Sequence, residues 1–404
     1  MRIKRATAIV ALALLWVPAS GQAQSGNNAV KIGILHDASG AYKDNQGPGD
    51  NVAVNLALED FGKEVLGKPI EVIYADHQHK PDVAVGIARQ WYDVEGVDVI
   101  MGLGNSAVAL AVQQLTREKN KINISTAASS SELIGKGCSP NGFLWVHDTY
   151  AVATSAARAL TRAGLNTWFF ITADYAFGHA LERDAARIVE AEGGKVLGRV
   201  KHPAFTPDLS SFLLQAQASD AKVIGLANAG VDTVNSIKQA AEFRITGDNK
   251  QHAAAMLFLI TDVKSTGLQA AQGLTVTLAY YWDLDEQTRS FASRWEKEMH
   301  RPPTMYHAGL YSAVLHYLKA VKAAGTDDTQ AVLKQMREIP INDMMTKNGR
   351  IREDGRAMRD MYLFEVKKPS ESKSDWDLLK KVAVVPAEEA ALPVAESECS
   401  LLKK

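Results

Sequence analysis

The sequence predicts an α/β protein of two lobes, each a mostly parallel sheet with helices on both faces. Three observations carry the prediction. From Val30 onward, short β-rich runs alternate with amphipathic stretches of helical period. That rhythm restarts near Tyr150, and no Pro- or Gly-rich linker separates the two rounds. The chain left after an N-terminal export signal, about 380 residues, is long enough for two domains at roughly 100–200 residues each.

The export signal comes first. Arg2, Lys4 and Arg5 precede an apolar run from Ala6 to Val17, and the small-residue stretch Pro18 to Ala23 follows. Gly21 and Ala23 occupy the two small-side-chain positions a signal peptidase needs, so residues 1–23 are expected to be removed and the mature chain exported to the periplasm. A membrane anchor would need about 20 apolar residues, whereas this run has twelve. Without the three basic residues of the signal, 42 Lys and Arg face 46 Asp and Glu. That balance argues against nucleic acid as a partner, because phosphate binding needs concentrated positive charge.

In the first round the expected strands are Val30 to Leu35, Ile70 to Ala75, Val97 to Met101, Ile122 to Ser125 and Phe143 to Val146. The helices between them cover Asp50 to Val65, Pro81 to Asp93 and a stretch opening at Ser106. In the second round the strands are Thr167 to Thr172, Lys195 to Lys201, Val223 to Ala227, Ala255 to Leu259 and Gly273 to Ala279. Its helices cover Tyr150 to Ala163, Phe177 to Glu192, Leu209 to Ala218 and Val231 to Phe243. A helical block follows, Glu286 to His300, Tyr306 to Ala324 and Thr329 to Glu338, placed to cover the first sheet, and Met361 to Val366 reads as a last strand. The chain therefore crosses between lobes more than once. The division expected is 29–147 with 283–348 for the first lobe, 148–282 with 349–384 for the second, and a tail at 385–404.

Two cysteines occur, Cys138 and Cys399, both in the exported part where thiols oxidise. A disulfide between them would tie the C-terminal tail onto the first lobe; the alternative is two free thiols, uncommon in an oxidising compartment.

At this point the chain resembles the type I periplasmic binding proteins related to the leucine/isoleucine/valine-binding receptors of ABC importers. The resemblance runs over nearly the whole mature chain. It is carried by the Lys31 to Leu35 opening with Ser39-Gly40, by Ala57 to Asp60, by Gly102 to Ser106, by Ile171 to Gly178 and by Tyr306 to Leu310. Gly137 to Pro140, Trp145, Asp148 to Tyr150, Asn228 to Asp232 and Tyr281 to Asp283, with the C-terminal cysteine, are similar to a branch that includes receptors for aromatic carboxylates. The resemblance implies two lobes joined by three crossovers and a cleft closing on one small carboxylate (an aromatic acid or a branched-chain-type amino acid), with a membrane permease as partner and no cofactor; a monomer is expected because lobe closure leaves little need for a subunit interface. A sensory module that partners a signalling receptor is the alternative.

In open parallel sheets ligands bind outside the carboxyl ends of the strands. The loops at those positions are Ser39 to Tyr42, Asn105-Ser106, Ala127-Ala128-Ser129, Asp174 to Phe177 and Asn228-Ala229-Gly230. Asn105 and Ser106 would open a helix whose free N–H groups attract a carboxylate, although a serine before a helix is more often only a cap. Tyr175 and Phe177 could present flat faces to a ligand. Tyr150 is expected to help bury it, and Tyr281 to line the hinge side. An amino-acid ligand needs an acid for its ammonium, and Asp262 or Asp232 could supply it; with both turned to solvent, an amine-free carboxylate is expected instead.

Three other patterns are set aside. Gly102-Leu-Gly104-Asn-Ser-Ala107 has the spacing of a dinucleotide loop, but the acidic residue due about 20 residues later is missing from Ser125 to Ala128. His77 and His79 lack further ligands for a metal and read as an exposed polar loop. No nucleophile elbow or spaced triad supports catalysis, so the chain is not read as an enzyme.

Overall fold

A computed structural model of the protein describes residues 28–246 and 250–402; the export signal expected at 1–23 lies outside the described residues. Two parallel sheets dominate. The first has six strands, β1 (Val30–His36), β2 (Glu64–Val65), β3 (Lys68–Asp76), β4 (Val99–Gly102), β5 (Ile122–Ser125) and β6 (Gly142–Leu144), in the order β2-β3-β1-β4-β5-β6. Every pair in it is parallel except the short β2–β3 ribbon. The second has β7 (Thr167–Ala173), β8 (Lys195–His202), β9 (Val223–Ala227) and β10 (His252–Ala255), all parallel, in the order β10-β9-β7-β8. The central strands of both sheets are buried on both faces, which is why they read as unbroken apolar runs such as Val-Ile-Met-Gly and Val-Ile-Gly-Leu-Ala.

Three segments cross between the lobes. The first is 145–148, leading into the helix Thr149–Arg162. The second leaves β11 (Thr275–Leu278) for the helix Glu286–Met299, which packs on the first lobe beside Pro48–Phe61. The third lies between β13 (Ala357–Met358), which pairs with β12 (Arg350–Ile351), and β14 (Met361–Val366), which lies between β11 and β15 (Leu379–Val385).

The third crossing corrects the expected division, which gave 349–358 to the second lobe. The Leu144 N–H donates to the Gly355 carbonyl at 3.0 Å, and Arg337 Nη1 reaches the Arg352 carbonyl at 3.1 Å, so the β12–β13 hairpin belongs to the first lobe. Gly349, Asp354 and Gly355 have turn chemistry, but that chemistry carries no sign of which sheet the turn serves. The run Ala255 to Leu259 is also not a strand throughout: β10 ends at Ala255, and 256–259 is a buried loop leading into the helix Ile260–Thr266. β15 has no counterpart in the sequence reading, because five of its seven residues are exposed and the run lacks alternation.

Cys138 and Cys399 form a disulfide, with Cα atoms 5.7 Å apart. The tail it holds touches both lobes. Glu396 pairs with Arg187 of the second lobe, while Arg352 Nη1 of the first donates to the Leu392 carbonyl at 2.9 Å. The bridge spans 261 residues, and Cys399→Ser is expected to lower unfolding free energy by about 2–4 kcal/mol, measured by denaturant titration with and without reductant.

Candidate functional site

The carboxyl ends of β1, β4 and β5 face those of β7, β9 and β10, and the loops they release line a cavity between the lobes. The lobes touch across it. Tyr42 Oη lies 3.0 Å from Tyr175 Oη, the Tyr42 ring meets Phe205 edge-on at 5.5 Å, and Thr261 Oγ1 donates to Asn45 Oδ1 at 2.7 Å.

The first-lobe wall is built by three loops and one helix start. After β1, the buried Asp37 carboxylate accepts the N–H groups of Gly40 (2.8 Å) and Tyr42 (2.7 Å) and the His79 ring (2.6 Å). This knot turns Tyr42, Asn45 and Gln46 toward the cavity. After β4, Gly104 lies so close to Gln46 that a Cβ would fall 1.8 Å from its Nε2, so a larger residue would push that amide aside. Next comes the helix Ser106–Glu118, capped by Asn105, whose Oδ1 accepts the amides of Ala107 (2.9 Å) and Val108 (3.2 Å).

Ser106 Oγ accepts two N–H groups, from Ser129 (3.4 Å) and Ser130 (3.2 Å), in the loop after β5. Its lone pairs are thus engaged and its proton is free to point into the cavity. At the head of the helix the Ser106 amide, as the first helical residue, has no intrahelical acceptor, and the helix dipole favours negative charge there. The amides of Ala128 and Ser129 are not donors for a ligand, because Ala128 N–H goes to the Leu103 carbonyl at 3.1 Å and Ser129 N–H to Ser106. Ala127, Ala128 and Ser129 still line the wall, together with Tyr306 from the helix Met305–Ala324.

The side chains of the second-lobe wall are apolar apart from the Tyr175 hydroxyl and one carboxyl. Tyr175, Phe177, Ala229, Gly230, Leu257 and Leu259 form its surface, with Asp262 at the start of the helix Ile260–Thr266. Asp262 Oδ2 accepts the Leu259 N–H at 2.9 Å. Among the described residues it is the sole Asp, Glu, Lys, Arg or His on the cavity wall. Burial pushes its carboxyl up to about 7 despite that N–H.

Of the residues expected at the site, Tyr42, Ser106, Ala127, Ala128, Ser129, Tyr175, Phe177, Ala229 and Asp262 are brought together here. Five are not. Ser39 Oγ donates to Asp76 at the surface (2.5 Å). Asn105 is spent as a cap, with its amide 3.4 Å from His79 Nδ1. Asn228 is fully buried and accepts from Thr233 Oγ1 at 2.8 Å, so it braces its own loop. Tyr150 is buried in the helix Thr149–Arg162, off the cavity wall. Tyr281 Oη donates to the Trp376 carbonyl at 3.1 Å.

Asp232 is also elsewhere, with its two carboxylate oxygens on the amides of Phe205 (3.0 Å) and Thr206 (2.8 Å). His77 and His79 do not form an exposed loop: His77 is fully buried, with burial holding its ring down to about 4, and His79 packs edge-on against Tyr42 at 4.9 Å. Among the described residues there is no cluster of His, Cys, Asp or Glu able to hold a metal ion, and no helix is long and apolar enough to cross a membrane.

Asn45, Gln46, Gly104, Leu257, Leu259 and Tyr306 are cavity residues that the sequence reading did not place there. Leu257 and Leu259 follow the same strand-end rule once β10 is known to stop at Ala255. Tyr306 sits in the first turn after the Thr304 cap, where a helix covering a sheet can turn one side chain over its edge.

Residues 29–373 match the model of a periplasmic binding protein family. The chain is 48% identical to a periplasmic binding protein from Burkholderia mallei, with a TM-score of 0.91 over 94% of this chain and 100% of that one. It is 40% identical to a branched chain amino acid ABC transporter periplasmic ligand-binding protein from Burkholderia xenovorans LB400, with a TM-score of 0.83 over 92% of this chain and 99% of that one. At 20% identity and a TM-score of 0.80, over 92% of this chain and 100% of the other, a solute-binding protein from R. palustris in complex with benzoate shares the fold. This two-lobed chain, with its cavity at the facing strand ends, belongs to the periplasmic binding protein family.

Proposed function

We propose that the mature chain, beginning at Gln24, is the periplasmic solute receptor of an ABC importer and carries an α-amino acid with an apolar side chain to a membrane permease. One observation supports this ligand above others: among the described residues Asp262 is the sole acid or base on the cavity wall. The cavity thereby has two polar ends of opposite character. Ser106, with a free hydroxyl proton at a helix start, suits a carboxylate, and Asp262 suits an ammonium. Between them Phe177, Leu257 and Leu259 offer apolar area. Lobe closure then follows from contacts that exist only when both walls meet the ligand.

An amine-free aromatic acid is the second reading, favoured by the same carboxyl. With its pKa near 7, Asp262 can be protonated and donate to a neutral ligand group, while Tyr175 and Phe177 offer ring faces. A thermal-shift screen at pH 8 separates the two. Leucine-type amino acids at 100 times their dissociation constant should add about 2.7 kcal/mol of stability, and benzoate should add none. Stabilisation by benzoate alone at that pH would remove the amino-acid reading, and chemical conversion of the ligand on prolonged incubation would remove the receptor reading.

A further inference from the structure

His147 is not on the cavity wall, yet it stands directly behind two residues that are. Its Nε2 lies 3.3 Å from Ser129 Oγ and 3.3 Å from Tyr306 Oη, and its ring stacks on Tyr306 with centroids 5.8 Å apart and planes at 21°. It is buried in the first crossover. The other ring nitrogen, Nδ1, lies 3.3 Å from the Asp148 carbonyl. A carbonyl only accepts, so Nδ1 carries the proton and Nε2 offers a lone pair.

The surroundings keep this imidazole neutral. Burial and the nearby guanidinium groups of Arg356 and Arg359 hold it down to about 3. The nearby Asp148 carboxylate is paired with Arg356. A neutral Nε2 accepts one hydrogen bond, and two hydroxyl protons are in reach. Ser129 Oγ can also donate to the Ala127 carbonyl at 3.3 Å, and Tyr306 Oη shares a hydrogen bond with Ser129 as well as with His147. With the Tyr306 proton on His147, the Ser129 proton goes to Ala127 or to Tyr306; with the Ser129 proton on His147, the Tyr306 proton goes to Ser129. In each arrangement both protons point along the wall or behind it, and the two oxygens turn lone pairs toward the cavity.

We propose that His147 is a positioning residue for ligand selection: by fixing the direction of the Tyr306 and Ser129 hydroxyl hydrogen bonds, it makes this part of the first-lobe wall an acceptor, matched to an ammonium beside the carboxylate. The proposal rests on the amino-acid reading of the cavity and deepens it. Asp262 supplies the negative charge from the second lobe, and Ser129 and Tyr306 supply neutral acceptors from the first. A solute with a carboxylate but no donor would leave those acceptors unmatched in a closed cavity, a penalty that falls on the deaminated analogue alone.

The test begins with nitrogen NMR of histidine-labelled, ligand-free mature protein at pH 7 and pH 5. His147 is expected as the neutral Nδ1–H form at both values; the Nε2–H form, or an imidazolium at pH 5, overturns the proposal. The second arm titrates leucine and its deaminated analogue 4-methylpentanoate into His147→Gln, whose carbonyl can still accept, and His147→Phe, which cannot. His147→Phe is expected to weaken leucine binding about tenfold or more, with a smaller effect on 4-methylpentanoate, and His147→Gln is expected to recover most of the loss. Equal losses in both variants, or equal losses on both ligands, overturn it. Should the wild-type protein bind no amino acid, the ligand reading fails by itself, and the NMR form of His147 still decides whether the hydroxyls are fixed in this direction.

Discussion

Asp262→Asn is expected to weaken binding of a leucine-type amino acid by about 2–5 kcal/mol, the range for removing one member of a buried charge pair. The other member here is the ligand's ammonium. The pH dependence follows from the carboxyl at about 7 in the free protein. An ammonium requires the ionised form, so the affinity of the wild-type protein should fall as pH drops through 7, while Asp262→Asn should be flat across that range. An amine-free acid would behave oppositely, gaining affinity below 7. Isothermal titration at pH 6 and pH 8 reads both trends, and a flat wild-type profile would mean that Asp262 does not meet the ligand. Stability has its own sign. The folded pKa is raised above the unfolded value near 3.8, so between about pH 4 and 7 the folded state binds more protons than the unfolded chain. Ligand-free protein should therefore lose stability from this group as pH rises through that window, and Asp262→Asn should abolish that loss.

The fold was legible because its strongest signals are local. The runs forming β1, β5, β7, β9 and β14 are apolar and short, and helices between strands open on caps such as Asn105 and Asp148. What escaped is set by tertiary partners. The hairpin 350–358 joins the first lobe through Gly355 against Gly142, where an added Cβ would fall 2.3 Å from a carbonyl oxygen; no local pattern announces that approach. The site divides the same way. The strand-end rule finds Ser106, Ser129 and Tyr175 because topology alone brings those loops together. It also nominates Asn228 and Asn105, whose side chains the backbone claims first. Asp232 and Asp262 look alike in sequence, each in the first turn of a helix. Only the fold shows that Asp232 has two amides to hold and that Asp262 has one, leaving an oxygen for the cavity.

The largest effect on stability is expected at the first crossover, from Asp148→Asn. Asp148 does two things there: Oδ1 caps the helix Thr149–Arg162 through the Ala151 N–H at 2.7 Å, and Oδ2 pairs with Arg356 of the β12–β13 hairpin. Asparagine keeps an acceptor for the cap and removes the charge. Arg356 is buried and already pushed down to about 9 by burial and by Arg359, so it would be left as an uncompensated cation. Breaking a buried pair in this way is worth about 3–5 kcal/mol, seen as a lower denaturant midpoint without a change in slope. The double variant Asp148→Asn, Arg356→Met removes the orphaned charge as well and should regain most of the loss, since no unpaired buried charge remains. Recovery would locate the destabilisation in the guanidinium. A double variant as unstable as the single one would instead place it in the cap, and with it the start of the helix that opens the second lobe.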